Sequence, residues 1–333
     1  MHDVIIIGAG PIGLACGIEA KRRGLDAIII DKGALVNSII GYPTGMEFFS
    51  TPELLEIGGH PLATTRYKPV REEVIDYYQR VAANERLDCR LYEGVERIDG
   101  EDGAFTVVTT RGAHEGRKVV VATGFFDVPN PLDVPGSDLP KVSHYYKEPY
   151  PFAGQDVAVI GAKNSAAKAA LDCYRHGARV TLIVRGPEIS PKVKYWIKPD
   201  LENRIKEGSI KAFFNTSVAR IEERQMVLNT PDGEQTIAND FVLAMVGYRP
   251  DFTLLEKLGI SCGDDVDRTP ICDSDTLLTS RPGVYLAGTV GGGLNTSRWF
   301  IENGRVHAKQ IMDDISLRLG QRTTHETAAG RYL

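Results

Sequence analysis

An apolar run, Val4 to Ile7, leads into Gly8, Gly10 and Gly13 in the spacing G-x-G-x-x-G, and the residues from there to about Arg23 read as a helix. A chain written this way folds as a buried parallel strand, a tight turn and a helix whose first amides and positive dipole end face an anion. Gly8 permits the turn, Gly10 lets a pyrophosphate approach the backbone, and Gly13 lets the helix lie close on the strand. Gly24 then stops the helix and Ala27 to Ile30 supply a second apolar strand. Asp31 follows where an acid accepts hydrogen bonds from a ribose diol. Each feature alone is weak, but together they read as a dinucleotide cradle.

The same order begins again at Asp156: a strand to Ile160, Gly161, a helix to His176, Gly177, and a strand from Val180 to Val184. Here Lys163 holds the middle glycine position and Ala166 the third, so side chains are expected to assist phosphate approach. The ribose-reading position carries Arg185 in place of an acid. A guanidinium pairs bidentately with a 2′-phosphate, and an acid would repel it. This second cradle is therefore expected to prefer NADPH to NADH, the competing reading being an ordinary surface arginine at a strand end.

Two cradles need two cores, and 333 residues with 42% hydrophobic and 25% charged side chains suffice for both. A net charge of −5 argues against a nucleic-acid surface, and no apolar run approaches the roughly 18 residues that span a bilayer. A cytoplasmic enzyme is expected, since no charged and apolar leader precedes the first strand. Five cysteines, Cys16, Cys89, Cys173, Cys262 and Cys272, are odd in number and widely spaced, unlike a disulfide framework or a metal site. No Cys-x-x-Cys occurs.

Between the cradles, Arg71 to Asn84 reads as a helix with Val74, Tyr77, Tyr78 and Val81 at helical spacing, the tyrosines packing the core. Leu87 to Glu96, Ala104 to Thr110 and Lys118 to Val121 read as strands. Ala122, Thr123 and Gly124 lead into a proline-rich crossover holding Pro129, Pro131, Pro135 and Pro140. Later, Arg220 to Val227, Thr236 to Val246 and Gly283 to Thr289 read as strands, and Ser297 to Leu319 as a helix capped by Asn295 or Thr296. The polar tail, Arg322 to Leu333, is expected to fray. The expected division is residues 1–125 with 248–333, and an inserted domain at 126–247.

Two cradles, the Ala122-Thr123-Gly124 crossover and the late strand ending in Gly288 and Thr289 together resemble the thioredoxin reductase superfamily. That resemblance implies an α/β fold of two Rossmann-like dinucleotide-binding domains, an FAD domain with an NADPH domain inserted. It assigns Gly8, Gly10, Asp31, Thr123, Gly124, Gly288 and Thr289 to FAD, and Gly161, Asn164, Ser165 and Arg185 to NADPH. The expected FAD set is completed by Pro11, Ile12, Gly13, Lys32, Asn37, Tyr42, Thr44 and Val95, and the NADPH set by Lys163 and Gly247. Thr289 stands where the superfamily more often has aspartate.

More narrowly, Lys32 to Ser38, Tyr42 to Gly58, Lys68 to Arg71, Val142 to Glu148 and Phe300 to Arg305 are similar to the bacillithiol disulfide reductase family. The resemblance implies electron transfer from NADPH through FAD to a low-molecular-weight disulfide, bacillithiol disulfide above all. A ferredoxin or flavodoxin NADP reductase and a non-catalytic redox sensor remain alternatives. Where thioredoxin reductases carry a redox dithiol, this chain has Ser143, His144, Tyr145 and Tyr146. Many bacillithiol reductases place a cysteine inside the first glycine motif, at the position of Ile12 here. His144, as a proton donor to a leaving thiolate, and Cys16 are the catalytic candidates, with a loop histidine and a packing cysteine as the competing readings. The helix from Ser297 would aim its positive end at the reduced flavin, and Tyr42, Phe48 and Phe49 would line the flavin or a channel. Arg66, Lys68, Arg71 and Arg298 are candidate anchors for a carboxylate-rich disulfide. The partners expected are a small disulfide and other copies of the chain, as a homo-oligomer; no nucleic acid, membrane or metal is expected.

Overall fold

The computed structural model describes residues 1–320, which form two compact units. Residues 1–40, 45–128 and those from 248 make up the first, and residues 41–44 and 129–247 the second. The tail from Arg322 lies outside the described residues.

In the first unit His2–Ile7 is central to a seven-stranded sheet, with Ala27–Ile30 and then Asp88–Arg90 on one side and Gly112–Val121 on the other, all parallel. Gly112–Val121 has two partners beyond it. Its beginning pairs antiparallel with Ala104–Thr109, which pairs in turn with Val95–Glu101, and its end pairs parallel with Val284–Leu286. Val119, Val120 and Val121 are wholly buried, as a continuous apolar run in a covered parallel strand must be. The helix Pro11–Arg22 opens with proline, whose missing N–H costs nothing there, and packs against Val306–Arg318. Buried Arg23 ties the two through Glu19 Oε2 at 2.5 Å and Asp313 Oδ1 at 2.6 Å. On the helix Arg71–Asn84 both tyrosines are buried, and Tyr78 donates its hydroxyl to the Leu55 carbonyl at 2.7 Å.

The second unit repeats the plan at smaller scale. Its five-stranded parallel sheet runs Lys211–Phe213, Arg179–Ile183, Asp156–Ile160, Phe241–Ala244 and Val142–Ser143. The helix Asn164–Arg175 packs its alanines on it, all buried at 166, 167, 169 and 170. A separate three-stranded antiparallel sheet joins Ser217–Ile221, Gln225–Thr230 and Gly233–Ala238.

Four expected elements are divided in the structure. Leu87 to Glu96 becomes Asp88–Arg90 and the start of Val95–Glu101, because Tyr92 turns the chain with φ 55°. The stretch Arg220 to Val227 contains a hairpin turn, and Thr236 to Val246 breaks at Asn239 and Asp240. The helix expected from Ser297 begins only at Ile301 and is interrupted at Arg305. Asn303 causes the late start, since its Oδ1 accepts the Phe300 N–H at 2.6 Å while its Nδ2 donates to the Arg298 carbonyl at 3.1 Å. The expected cap at Asn295 or Thr296 is therefore corrected. Helices at Lys198–Lys206 and Phe252–Lys257 are additional; the second is capped by Asp251, whose Oδ1 accepts the Leu254 N–H at 3.0 Å.

Candidate functional site

Gly8 takes φ 113°, where a side chain would be strained, and a Cβ there would fall 2.5 Å from the Ala122 carbonyl oxygen. The first glycine thus keeps the crossover strand close to the turn. A Cβ on Gly10, by contrast, would meet nothing within 4 Å, so the backbone there faces open space at the N-terminus of a 12-residue helix. That is the shape a pyrophosphate requires.

Asp31 lies directly behind the turn. Its Oδ2 accepts the Ala9 N–H at 2.7 Å and its Oδ1 the Gly33 N–H at 2.8 Å. Burial pushes its carboxyl above the usual value, against the pull of those two backbone donors. Each oxygen has accepted one bond and can accept another, which leaves capacity for two ribose hydroxyls. A cavity opens beside it, lined by Gly8, Asp31, Lys32, Glu93, Gly94, Val95, Thr123, Gly124, Phe125 and Asp127, among others. Lys32 closes one side through an ion pair with Asp127 at 3.0 Å. Asn37 sits over Gly33, where a Cβ would come 2.6 Å from the asparagine Cγ. Gly288 and Thr289 belong to the same unit, and Thr289 Oγ1 lies 3.6 Å from the position of a Cβ on Gly124. The structure therefore gathers most of the first expected set around one cradle, with Pro11, Ile12 and Gly13 on its helix. Tyr42 and Thr44 fall in the second unit, where the Thr44 N–H donates to the Lys147 carbonyl at 2.9 Å.

Sequence reading missed Glu93. It is buried at the cavity and accepts from the Thr109 hydroxyl at 2.6 Å, with His114 Nε2 at 2.7 Å. In the sequence it is one acid in a mixed polar and apolar stretch, a pattern that many loops share.

The second cradle turns at Gly161, with φ 140° and a prospective Cβ 2.5 Å from the Met245 carbonyl oxygen. Lys163 is exposed and extended at the N-cap, Ser165 is exposed in the first turn, and Arg185 is exposed beyond the strand Arg179–Ile183. Gly247 is exposed in the same unit. Asn164 differs from expectation in its engagement: Nδ2 donates to the Lys192 carbonyl at 3.2 Å, and Oδ1 accepts the Lys194 N–H at 3.0 Å. The asparagine thus straps a basic loop beside the cradle, and those lysines were absent from the sequence-based set.

The two catalytic candidates fare differently. Cys16 is wholly buried, and burial, with Glu19 adding repulsion, pushes its thiol to about 12. It is a core residue and is corrected as a catalytic candidate. His144 is half-buried in the second unit, and burial lowers its pKa, so at neutral pH it is not a resting imidazolium. Among the anchor candidates, Arg71 is committed to structure, its guanidinium donating to the Ile39 and Ile40 carbonyls at 3.1 and 2.7 Å. Phe48 is buried and Phe49 partly exposed. No metal-binding group occurs among the described residues, and none of their helices is long and apolar enough to cross a membrane.

Two dinucleotide cradles on a thioredoxin reductase-like α/β fold define a class, and the chain belongs to the pyridine nucleotide-disulphide oxidoreductase family, whose pattern matches residues 5–288. It is an oxidoreductase. Within that class it is 42% identical to the bacilliredoxin reductase Bdr of Bacillus subtilis (strain 168), over 95% of this chain and 98% of the relative. The solved bacillithiol disulfide reductase Bdr (YpdA) of Staphylococcus aureus superposes with a TM-score of 0.92 at 38% identity, covering 95% of this chain and 98% of that one. The thioredoxin reductase of T. acidophilum shares the fold, with a TM-score of 0.76 at 23% identity over 96% of this chain and 98% of its own.

Proposed function

We propose that the chain passes electrons from NADPH through FAD to a low-molecular-weight disulfide, with bacillithiol disulfide as the leading acceptor. The observation that carries this reading is a near full-length likeness to two Bdr proteins, one of them named for bacillithiol disulfide. In this reading the first unit is the FAD domain. Gly10 and the helix Pro11–Arg22 receive the pyrophosphate, Asp31 holds the ribose, and Gly124, Gly288 and Thr289 serve the flavin side. The second unit takes NADPH, with Arg185 on the 2′-phosphate. Bound FAD supplies the acceptance of hydride and its release as electrons. The chain's own work is to fix both cofactors, exclude water and orient the acceptor. The chain has no Cys-x-x-Cys to relay electrons. The reading places the protein in the cytoplasm, where its five unpaired cysteines are at home.

A second reading comes from the other printed name: the Bacillus subtilis relative is called a bacilliredoxin reductase, so a small redox protein can stand as acceptor. Purified holoenzyme with NADPH should release thiol from bacillithiol disulfide faster than from glutathione disulfide or cystine. Thiol release that requires added bacilliredoxin moves the assignment to the second reading. Rapid reduction of ferredoxin or flavodoxin with no thiol released overturns both, and absence of any NADPH oxidation leaves a non-catalytic sensor.

A further inference from the structure

The helix Val306–Arg318, which packs on Pro11–Arg22, also reaches the turn at Gly288 through His307. His307 is 4% exposed, and its Nδ1 lies 3.0 Å from the Gly288 backbone nitrogen. A backbone N–H can only donate, so Nδ1 is the acceptor and the neutral ring carries its proton on Nε2. Trp299 fixes the ring plane by edge contact, with centroids 4.5 Å apart at 78°. Burial, with Arg298 adding repulsion, lowers the pKa to about 4, which keeps the acceptor nitrogen bare at neutral pH.

The group that receives this support sits at a crowded point. Gly288 has φ 78°, and a Cβ on it would fall 2.9 Å from Ile12 Cγ1. A Cβ on Gly304 would lie 3.4 Å from the Gly288 Cα. The next residue is Thr289, whose hydroxyl lies beside Gly124. Three segments assigned to FAD thus meet at a turn, Gly288–Gly292, whose first N–H is buried and is satisfied by His307. Left without an acceptor, that N–H would carry its full desolvation cost.

We propose that His307 is a positioning residue for the flavin cofactor: by accepting the Gly288 N–H it fixes the turn that presents Thr289 to FAD. This rests on the FAD assignment above. An asparagine places its Oδ1 where the histidine has Nδ1, whereas the amide of a glutamine reaches the Nε2 position and leaves Gly288 without its acceptor.

The test titrates apoprotein with FAD and follows flavin fluorescence in wild type, His307→Asn, His307→Gln and Gly10→Val. His307→Gln should weaken FAD binding roughly three- to tenfold, the worth of one hydrogen bond, and His307→Asn should stay within about twofold of wild type. Amide exchange at Gly288 in the apoprotein should quicken in the glutamine variant and not in the asparagine variant, a readout independent of the cofactor. If the glutamine variant does not fold, His307→Ala replaces it. Unchanged binding in the variant without an acceptor overturns the proposal, as does equal loss in both, which would make shape the cause. Gly10→Val separates this failure from failure of the cradle assignment: it abolishes FAD binding if the cradle is correct and leaves binding intact if it is not.

Discussion

At residue 307 protonation and folding are linked. The folded histidine titrates near 4 against an ordinary value of 6.5, with burial as the main cause and Arg298 as the charged group acting on it. A depressed histidine gives stability that is complete above 6.5 and is lost as pH falls toward 4, because the unfolded chain binds the proton first. Between pH 7 and pH 5 this group should remove about 2 kcal/mol, at about 1.4 kcal/mol per pH unit below 6.5. Urea unfolding should therefore show wild type losing more than His307→Asn over that interval; parallel losses would show that the imidazole titrates normally. Arg185 provides a second residue-scale prediction. It is exposed, so its charge is screened, yet a 2′-phosphate would make a charge-assisted pair with it. Arg185→Ala should lower NADPH affinity roughly ten- to a hundredfold and leave NADH nearly unchanged. An unaltered ratio of the two removes the assignment.

The loop after the second cradle shows how one side chain organises an element. Asn164 uses its amide donor on Lys192 and its acceptor on Lys194, and the Ser190 N–H adds a bond to the Ala162 carbonyl at 3.1 Å. Asn164→Ala should free the loop and raise KM for NADPH several-fold with kcat unchanged, the signature of lost binding alone. A fall in kcat at constant KM would place the asparagine in the chemistry instead. The same loop marks the limit of what sequence reading could reach. Strand, glycine and helix at each cradle were legible because hydrophobic period and backbone sterics are local, and the glycines at 8, 10 and 161 behave as their spacing implies. Asn164 was legible as a cradle residue, but its partners lie about 30 residues on and no period links them. Glu93 and His307 were invisible for the same reason: each acts through a fold that brings distant partners to it, two side chains for Glu93 and a backbone N–H for His307. Asn303 shows the converse, a local cap within sequence reach that the apolar run around it concealed.

Across the whole molecule the cysteines are placed against reactivity. Burial pushes Cys16 and Cys173 to about 12 and Cys89 to about 11, and it raises Cys262 and Cys272 as well. A thiol attacks a disulfide as its thiolate, so none of the five offers a ready nucleophile at neutral pH in either unit. The position at which many bacillithiol reductases carry a cysteine is Ile12, and its side chain is packed against Gly288 and Gly304. Electrons should consequently leave the protein without a covalent bond to any of its sulfurs. A variant with Cys16→Ala and Cys173→Ala in the two buried sites and serine at the other three tests this directly. Removing the buried sulfurs should lower stability by about 1 kcal/mol each, the cost of a small cavity. NADPH oxidation and thiol release should both remain within about twofold of wild type. If NADPH still bleaches the flavin while thiol release stops, one of these sulfurs takes part in the second half-reaction, and restoring the cysteines singly would identify it.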